Sequence, residues 1–412
     1  MKTRLLHFVI IFVLLNTDGF AQQIARSQYY AGMPFWESPI VPFKGEYPIT
    51  KEQADDRINL KLDYDEQNRI IQVSARVGNE LKPFEGFFGN LYINAPRTTV
   101  HYEDLIERHH FFDILGNRIA VQNNVYEKVY TKDEHGRNVS LAFFDKDGHP
   151  TEDLDNNRNF EWTYEMDGSI VEKRTDAEGN IVPLRGIFQL MLTRITFGSD
   201  GQVNMLQNIN EDGALINAEC GASTFKYFYD QHGRFLLWEI YDKEGNPAIG
   251  PSNTAGEQNV FEGINFLGLF FFDKEGKPAT HWSGAERWAF KNDRYGNFSE
   301  VNYLDASGNL KCGNGGTAGV KYDWDEKGRF LKSQTYINTN GQPMNHPELS
   351  IATTQYVRNE HGLVIAIYYL NAEGKKQARK DNKVASIKHT YDDKGLLFKS
   401  IKYDEMDEVL TR

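Results

Sequence analysis

The feature that most constrains this chain is a turn signature, Asp or Asn followed three residues later by Gly and preceded by an aromatic or aliphatic residue, which returns at a nearly fixed interval. One series ends at Gly116, Gly148, Gly179, Gly213, Gly245, Gly276, Gly308, Gly341 and Gly374, in steps of 31 to 34 residues. A second lies about a dozen residues upstream, at Gly136, Gly168, Gly201, Gly233, Gly296, Gly328, Gly362 and Gly395. A period of this length marks a tandem array of one supersecondary unit, in which each copy buries its apolar face only against its neighbours.

The unit Lys226 to Pro247 carries both turns. Asp230-Gln231-His232-Gly233 places Asp where it bonds its own backbone and Gly where φ must be positive, the chemistry of a type I turn closed by a Gly bulge. Arg234 to Tyr241, between the turns, has the length and β-forming composition of a strand. Each unit therefore reads as about two turns and three short strands, with small-residue links such as Gly250 to Gly256 and Gly313 to Gly319 between units. Positions four and six before the first Gly share one strand face. They hold Trp162 and Tyr164, Tyr227 and Tyr229, Tyr322 and Trp324, with single matches at Tyr130, Phe197, Phe290, Tyr356 and Tyr391. The expected fold is all-β, a tandem β-hairpin repeat array of about 32-residue units forming an open stack or solenoid, with a closed barrel-like shell as the alternative.

The array breaks where a Gly of the second series is due near position 264: Val260 to Gly268 is apolar and lacks the turn signature. A binding feature can be inserted at such a departure; drift is the plainer explanation. At the end, Asp404-Glu405-Met406-Asp407 keeps the phase without Gly, as a capping unit does, and Tyr64 to Asn68 reads as a worn copy upstream.

Tyr229-Asp230-Gln231-His232-Gly233-Arg234 and Trp324-Asp325-Glu326-Lys327-Gly328-Arg329 resemble the Tyr-Asp-x-x-Gly-Arg motif of the bacterial YD-repeat (RHS-type) class. The resemblance covers roughly residues 60 to 407 and implies a secreted β-scaffold that binds carbohydrate or protein, or wraps a toxin. Only the hairpin architecture is carried over.

Residues 1 to 21 have the form of a secretory signal, with Lys2 and Arg4, an apolar stretch from Leu5 to Leu15, and Gly19-Phe20-Ala21 before a cut at Gln22. Residues 22 to 58, rich in Pro and aromatics, read as an irregular N-terminal lead, and 59 to 412 as the repeat domain. The formal charge of −12 disfavours a nucleic-acid partner. Cys220 and Cys312 are too few for a disulfide framework; lying about three repeats apart, they are expected unpaired in a straight stack and paired only if the array returns on itself every three units.

Asp145-Lys146-Asp147-Gly148 has calcium-ligand residue types, but Gly stands fourth where a calcium loop needs it sixth, and the turn accounts for the residues without metal. His101 to Asp104 with Glu107 to His110 and Asp113 form the densest polar cluster; no spacing matches a metalloprotease helix, and surface or packing roles are expected. Trp282, Trp288 and Trp324 are candidates for stacking on sugar rings, or for the core. No catalytic, cofactor-binding or metal residue is assigned. The functional expectation is a secreted or periplasmic, non-catalytic scaffold for protein or carbohydrate, with a glycan-active enzyme as the rival.

Overall fold

The computed structural model describes residues 23–33, 37–85, 95–184 and 189–410, so the signal segment lies outside it. Among the described residues, 26 strands join in one antiparallel sheet that is not closed by pairing of its ends, and helix is confined to Lys51–Asp55. The hairpin repeat array is thus the architecture found. No described helix is long and apolar enough to cross a membrane.

The turns form as their residues dictate. At the Tyr229-Arg234 motif the Gly233 amide donates to Asp230 O at 3.0 Å and the Asp230 amide to Arg234 O at 2.9 Å. Asp230 Oδ1 accepts the amides of His232 and Arg234 at 2.8 and 3.0 Å, and Gly233 sits at φ 79°. A carboxylate two and four residues before the donors organises the loop, and only the Gly position demands a left-handed backbone. Arg234 Nε closes back on Asp230 Oδ2 at 2.7 Å, whereas the Arg329 side chain of the other motif copy turns to Leu81 O and Glu80.

The aromatic column does more than pack. In four units the ring four residues before the first Gly also reaches the preceding unit through its polar atom. Tyr164 donates to Asn138 O, Tyr229 to Val203 O, Trp324 to Phe298 O and Tyr391 to Val364 O, each acceptor lying two residues after the preceding unit's Gly. Arg137 lies over the Tyr164 ring at 4.1 Å, so the motif Arg of one unit covers the aromatic of the next. Position six supplies the buried column: Tyr130, Trp162, Ile195, Tyr227 and Phe290.

The links differ from the expectation. Each is a third tight turn, as in Gly250 N–H to Thr254 O at 2.8 Å and Gly313 N–H to Thr317 O at 2.9 Å. The expected third strand shrinks to single bridges such as Tyr241 to Pro247, leaving two full strands per unit.

The sheet coils. Lys82 Nζ donates to Gly328 O at 3.3 Å, Arg329 Nε to Leu81 O at 2.7 Å, and Asn117 Nδ2 to Lys394 O at 2.9 Å. The chain therefore meets itself 246 to 277 residues later, roughly eight periods. Cys220 and Cys312, three periods apart, accordingly stay free.

The lead is irregular only in part. Strands Arg26–Gly32 and Glu46–Ile49 pair within the sheet, and Thr50 caps the short helix. Residues 37–43 of the lead lie against the aromatic column and the strands beside it. Tyr227 donates to Glu37 at 2.8 Å, Tyr130 to Pro39 O at 3.1 Å and Asn138 Nδ2 to Ile40 O at 2.8 Å, and Ile40 is buried with Tyr130 and Trp162 in one core. Phe43 stacks on His109 at 4.9 Å. The lead thus covers part of the column with apolar and hydrogen-bonding groups.

Turn glycines are not equivalent. A Cβ on Gly136 meets nothing within 4 Å, whereas one on Gly328 falls 2.3 Å from Tyr295 Cδ2. Gly136→Ala is expected to cost about 1 kcal/mol for the left-handed backbone, and Gly328→Ala about 1–3 kcal/mol more for the overlap. Urea unfolding of both variants checks this; equal losses would reject the packing of Tyr295 on that turn.

Candidate functional site

The break in the array is a different hairpin. Gly256–Glu262 and Asn265–Phe272 are joined by a two-residue turn at Gly263 and Ile264, with Glu262 facing Asn265 and Gly263 at φ 55°. A similar two-residue turn at Asp104 and Leu105 joins Arg97–Glu103 to Ile106–Phe112.

The short turn keeps the register but changes the column. Asn259 Nδ2 donates to Phe235 O at 2.8 Å, taking over the bond that Tyr229 makes in the unit before. Asn292 repeats the exchange in the next unit, bonding Phe266 O at 3.1 Å. Glu257 pairs with Trp238, which pairs with Tyr227, so a carboxyl stands in line with the buried aromatic column. Two successive large rings are thereby replaced by short amides. The space they leave is a cavity of about 370 Å³.

Its walls come from three parts of the chain. The altered hairpin supplies Glu257, Asn259, Phe261, Ile264, Asn265, Phe266 and Leu269. Neighbouring units add Arg234, Phe235, Trp288, Asn292, Phe298 and Trp324. The N-terminal region adds Met33, Glu46, Arg57, Asn59 and Leu60, and Glu85 also reaches the wall. Phe261 and Phe266 stack with centroids 5.1 Å apart, and Phe266 lies 6.3 Å from Phe298. The ring wall is continuous.

The polar groups are few and distinct. Glu46 and Glu257 retain accessible surface but are surrounded by protein, and burial pushes their carboxyls up, to about 8 and about 7. Arg234 pulls Glu46 back down and Asp230 pushes it up; for Glu257, Ser252 lowers and Glu37 raises. Glu85 bonds Arg358, and it accepts the Leu331 amide at 3.0 Å. Arg57 Nε, Asn59 Oδ1 and Asn259 Oδ1 are buried without a hydrogen-bond partner.

The residues singled out in the sequence divide. Trp288 and Trp324 line the cavity, while Trp282 is 59% exposed elsewhere. The histidine cluster is split by strand alternation. His109 is buried, its Nε2 2.7 Å from Glu107 Oε1, and Lys132 lies 2.9 Å from the same carboxylate. Burial pushes Glu107 up, but His109 and Lys132 outweigh it and hold it at about 2. On the opposite strand face, His110 and Arg108 share Glu127 at 3.2 and 3.0 Å. Asp145, Asp147 and His149 bring ligand atoms within 4.8 Å of one another, yet Asp145 Oδ1 accepts the amides of the other two at 2.9 Å, as Asp230 and Asp273 do in their turns. Glu46, Arg57, Glu85 and Glu257 were not singled out; only Glu257 carries a sequence signal, its place in line with the aromatic column.

No protein-family profile matches the chain, and no curated protein does. Among solved structures it is similar to the TcdB2-TccC3 crystal structure, at 12% identity and TM-score 0.34 over 85% of this chain and 17% of that one. It is also similar to the Photorhabdus luminescens Tc holotoxin pore, at 10% identity and TM-score 0.21 over 85% and 22%. A porin-like protein from Bacteroides uniformis matches at 12% identity and TM-score 0.17 over 76% and 86%. The chain spans about a fifth of the toxin-complex chains it matches. The fold assignment rests on the hydrogen-bond pattern, not on these distant likenesses.

Proposed function

We propose that this protein is a secreted or periplasmic, non-catalytic scaffold that binds a carbohydrate or a protein group in the cavity beside the altered hairpin. The observation that carries the reading is a coincidence of place: the array departs from its repeat where the cavity opens, and the hairpin keeps its inter-unit bond while giving up the rings that would fill the space. A volume of about 370 Å³ lies within the usual range of ligand sites. The basic start and apolar stretch of residues 1 to 15 support export. The turn carboxylates, which a glycan-active enzyme on the repeat surface would use, are occupied as acceptors of backbone amides.

The test is to fill the cavity. Asn259→Tyr restores the residue type of the regular units, so the fold is expected to persist. Purified wild type and variant would be screened against glycan and extracellular-protein arrays. The reading expects ligands that bind wild type and are lost with Asn259→Tyr but kept with Trp282→Ala. Ligands bound equally by wild type and Asn259→Tyr would sink it.

A further inference from the structure

The Arg57 guanidinium is the cavity's unanswered charge. Arg234 is tied to Asp230 at 2.6 Å, and Glu85 to Arg358. Arg57, among the described residues, has no ion-pair partner and no side-chain hydrogen bond, and its Nε is shielded from solvent without an acceptor. Taking a cation out of water without an anion costs several kcal/mol, so a half-buried guanidinium on an apolar wall is a group awaiting a partner. Its place is fixed from both sides. The Ile58 amide donates to Tyr295 O at 2.8 Å, where one turn of the coil meets the next. Arg57 Nη2 lies 2.9 Å from where a Cβ on Gly296 would stand, so the bare backbone of that turn leaves room for the guanidinium.

Resting on the cavity reading above, we infer that the recognised group is an apolar or aromatic body ending in a carboxylate or equivalent oxyanion, held by Arg57 while the body lies against Phe261, Phe266 and Phe298. A guanidinium meets a carboxylate with two parallel hydrogen bonds, which gives orientation as well as strength. The rings supply contact area without charge. Asn59 Oδ1 and Asn259 Oδ1, orphaned on the same walls, accept from a hydroxyl or amide carried by the ligand. Burial holds the Glu257 and Glu46 carboxyls toward their neutral forms, which reduces their repulsion of an anion. A cationic ligand would have to enter beside Arg57, an arrangement in which like charges repel.

Three probes that share one body decide the charge. Phenylacetate, 2-phenylethanol and 2-phenylethylammonium would be titrated into the purified protein at low salt and pH 6.5, read by fluorescence of Trp288 and Trp324 and by calorimetry. Phenylacetate is expected to bind at least tenfold more tightly than the other two. Arg57→Gln is expected to abolish that preference, and Arg57→Lys to retain part of it. The wild-type series stands even if the Gln variant fails to fold. Equal binding of the three probes, or preference for the ammonium or the alcohol, overturns the anion assignment and leaves the cavity reading in place. No binding of any probe at about 10 mM overturns the inference, while the array screen with Asn259→Tyr decides the cavity reading separately. A phenylacetate preference untouched in folded Arg57→Gln overturns the role of Arg57.

Discussion

Replacing Arg174 with Met is expected to destabilise the protein by about 3–5 kcal/mol, the usual loss when one partner of a buried ion pair is removed. Arg174 and Glu172 have no exposed side-chain surface and lie 2.5 Å apart. Arg174 Nη2 donates to Leu190 O and Met191 O at 2.6 Å and to Thr193 Oγ1 at 3.1 Å, which folds the link 190–191 onto its own unit. Glu172 Oε2 accepts from Trp162 Nε1 at 2.8 Å and from Ser38 of the lead. One pair thus joins an aromatic of the column, a link and the N-terminal lead. Met matches the guanidinium stem in length but leaves the buried Glu172 charge without its counter-ion and the Leu190 and Met191 carbonyls without the Arg174 donor. The double variant Glu172→Leu/Arg174→Met removes both charges and is expected to recover part of the loss, because a buried pair is worth little against apolar groups of similar size. Chemical denaturation of the single and double variants measures both terms. A loss below about 1 kcal/mol in the single variant would show that solvent reaches the pair.

The parts of the fold legible in the sequence are those set by local chemistry. Asp230 and Gly233 specify their turn within five residues, because the Asp oxygen bonds amides two and four places on and Gly alone accepts the left-handed position cheaply. The column at Tyr130, Trp162 and Tyr227 is legible by parity along a strand. The coil is not legible, since its curvature accumulates from small rotations per unit, and contacts such as Arg329 with Leu81 join residues with no shared pattern. The links read only as small-residue connections, and that Gly250 to Thr254 closes a third tight turn shows in the backbone hydrogen bonds and not in the turn signature. The lead reads as irregular because Glu37, Ile40 and Phe43 follow no period; their order is imposed by the surface they cross. For the candidate site, the broken period at 260–268 falls on the hairpin that lines the cavity, and Trp288 and Trp324 are among its wall residues. Arg57 and Glu46 were hidden, because tertiary folding alone brings the N-terminal region to that hairpin.

Glu257→Gln is expected to change how stability depends on pH. Burial is the main cause holding the Glu257 carboxyl up at about 7, with Glu37 adding to it and a Ser252 hydrogen bond opposing it. In the unfolded chain the same group ionises near its ordinary value of 4.5. Between those values the folded protein keeps a proton that the unfolded chain has released, so stability falls as pH rises. The contribution of the neutral carboxyl is therefore complete below about pH 4.5 and lost as pH rises through about 7. Gln has the same shape and does not titrate, so every other ionising group common to both proteins cancels in their difference. The stability of Glu257→Gln relative to wild type is expected to rise by roughly 2–4 kcal/mol between pH 4 and pH 8, at about 1.4 kcal/mol per pKa unit. Glu46, held at about 8 by burial, should behave alike with its loss completed about one unit higher. Equilibrium denaturation of wild type and Glu257→Gln at pH 4, 6 and 8 reads the difference. A difference between wild type and Glu257→Gln that stays constant with pH would place the carboxyl in contact with bulk water, and the cavity would then be an open surface instead of an enclosed site.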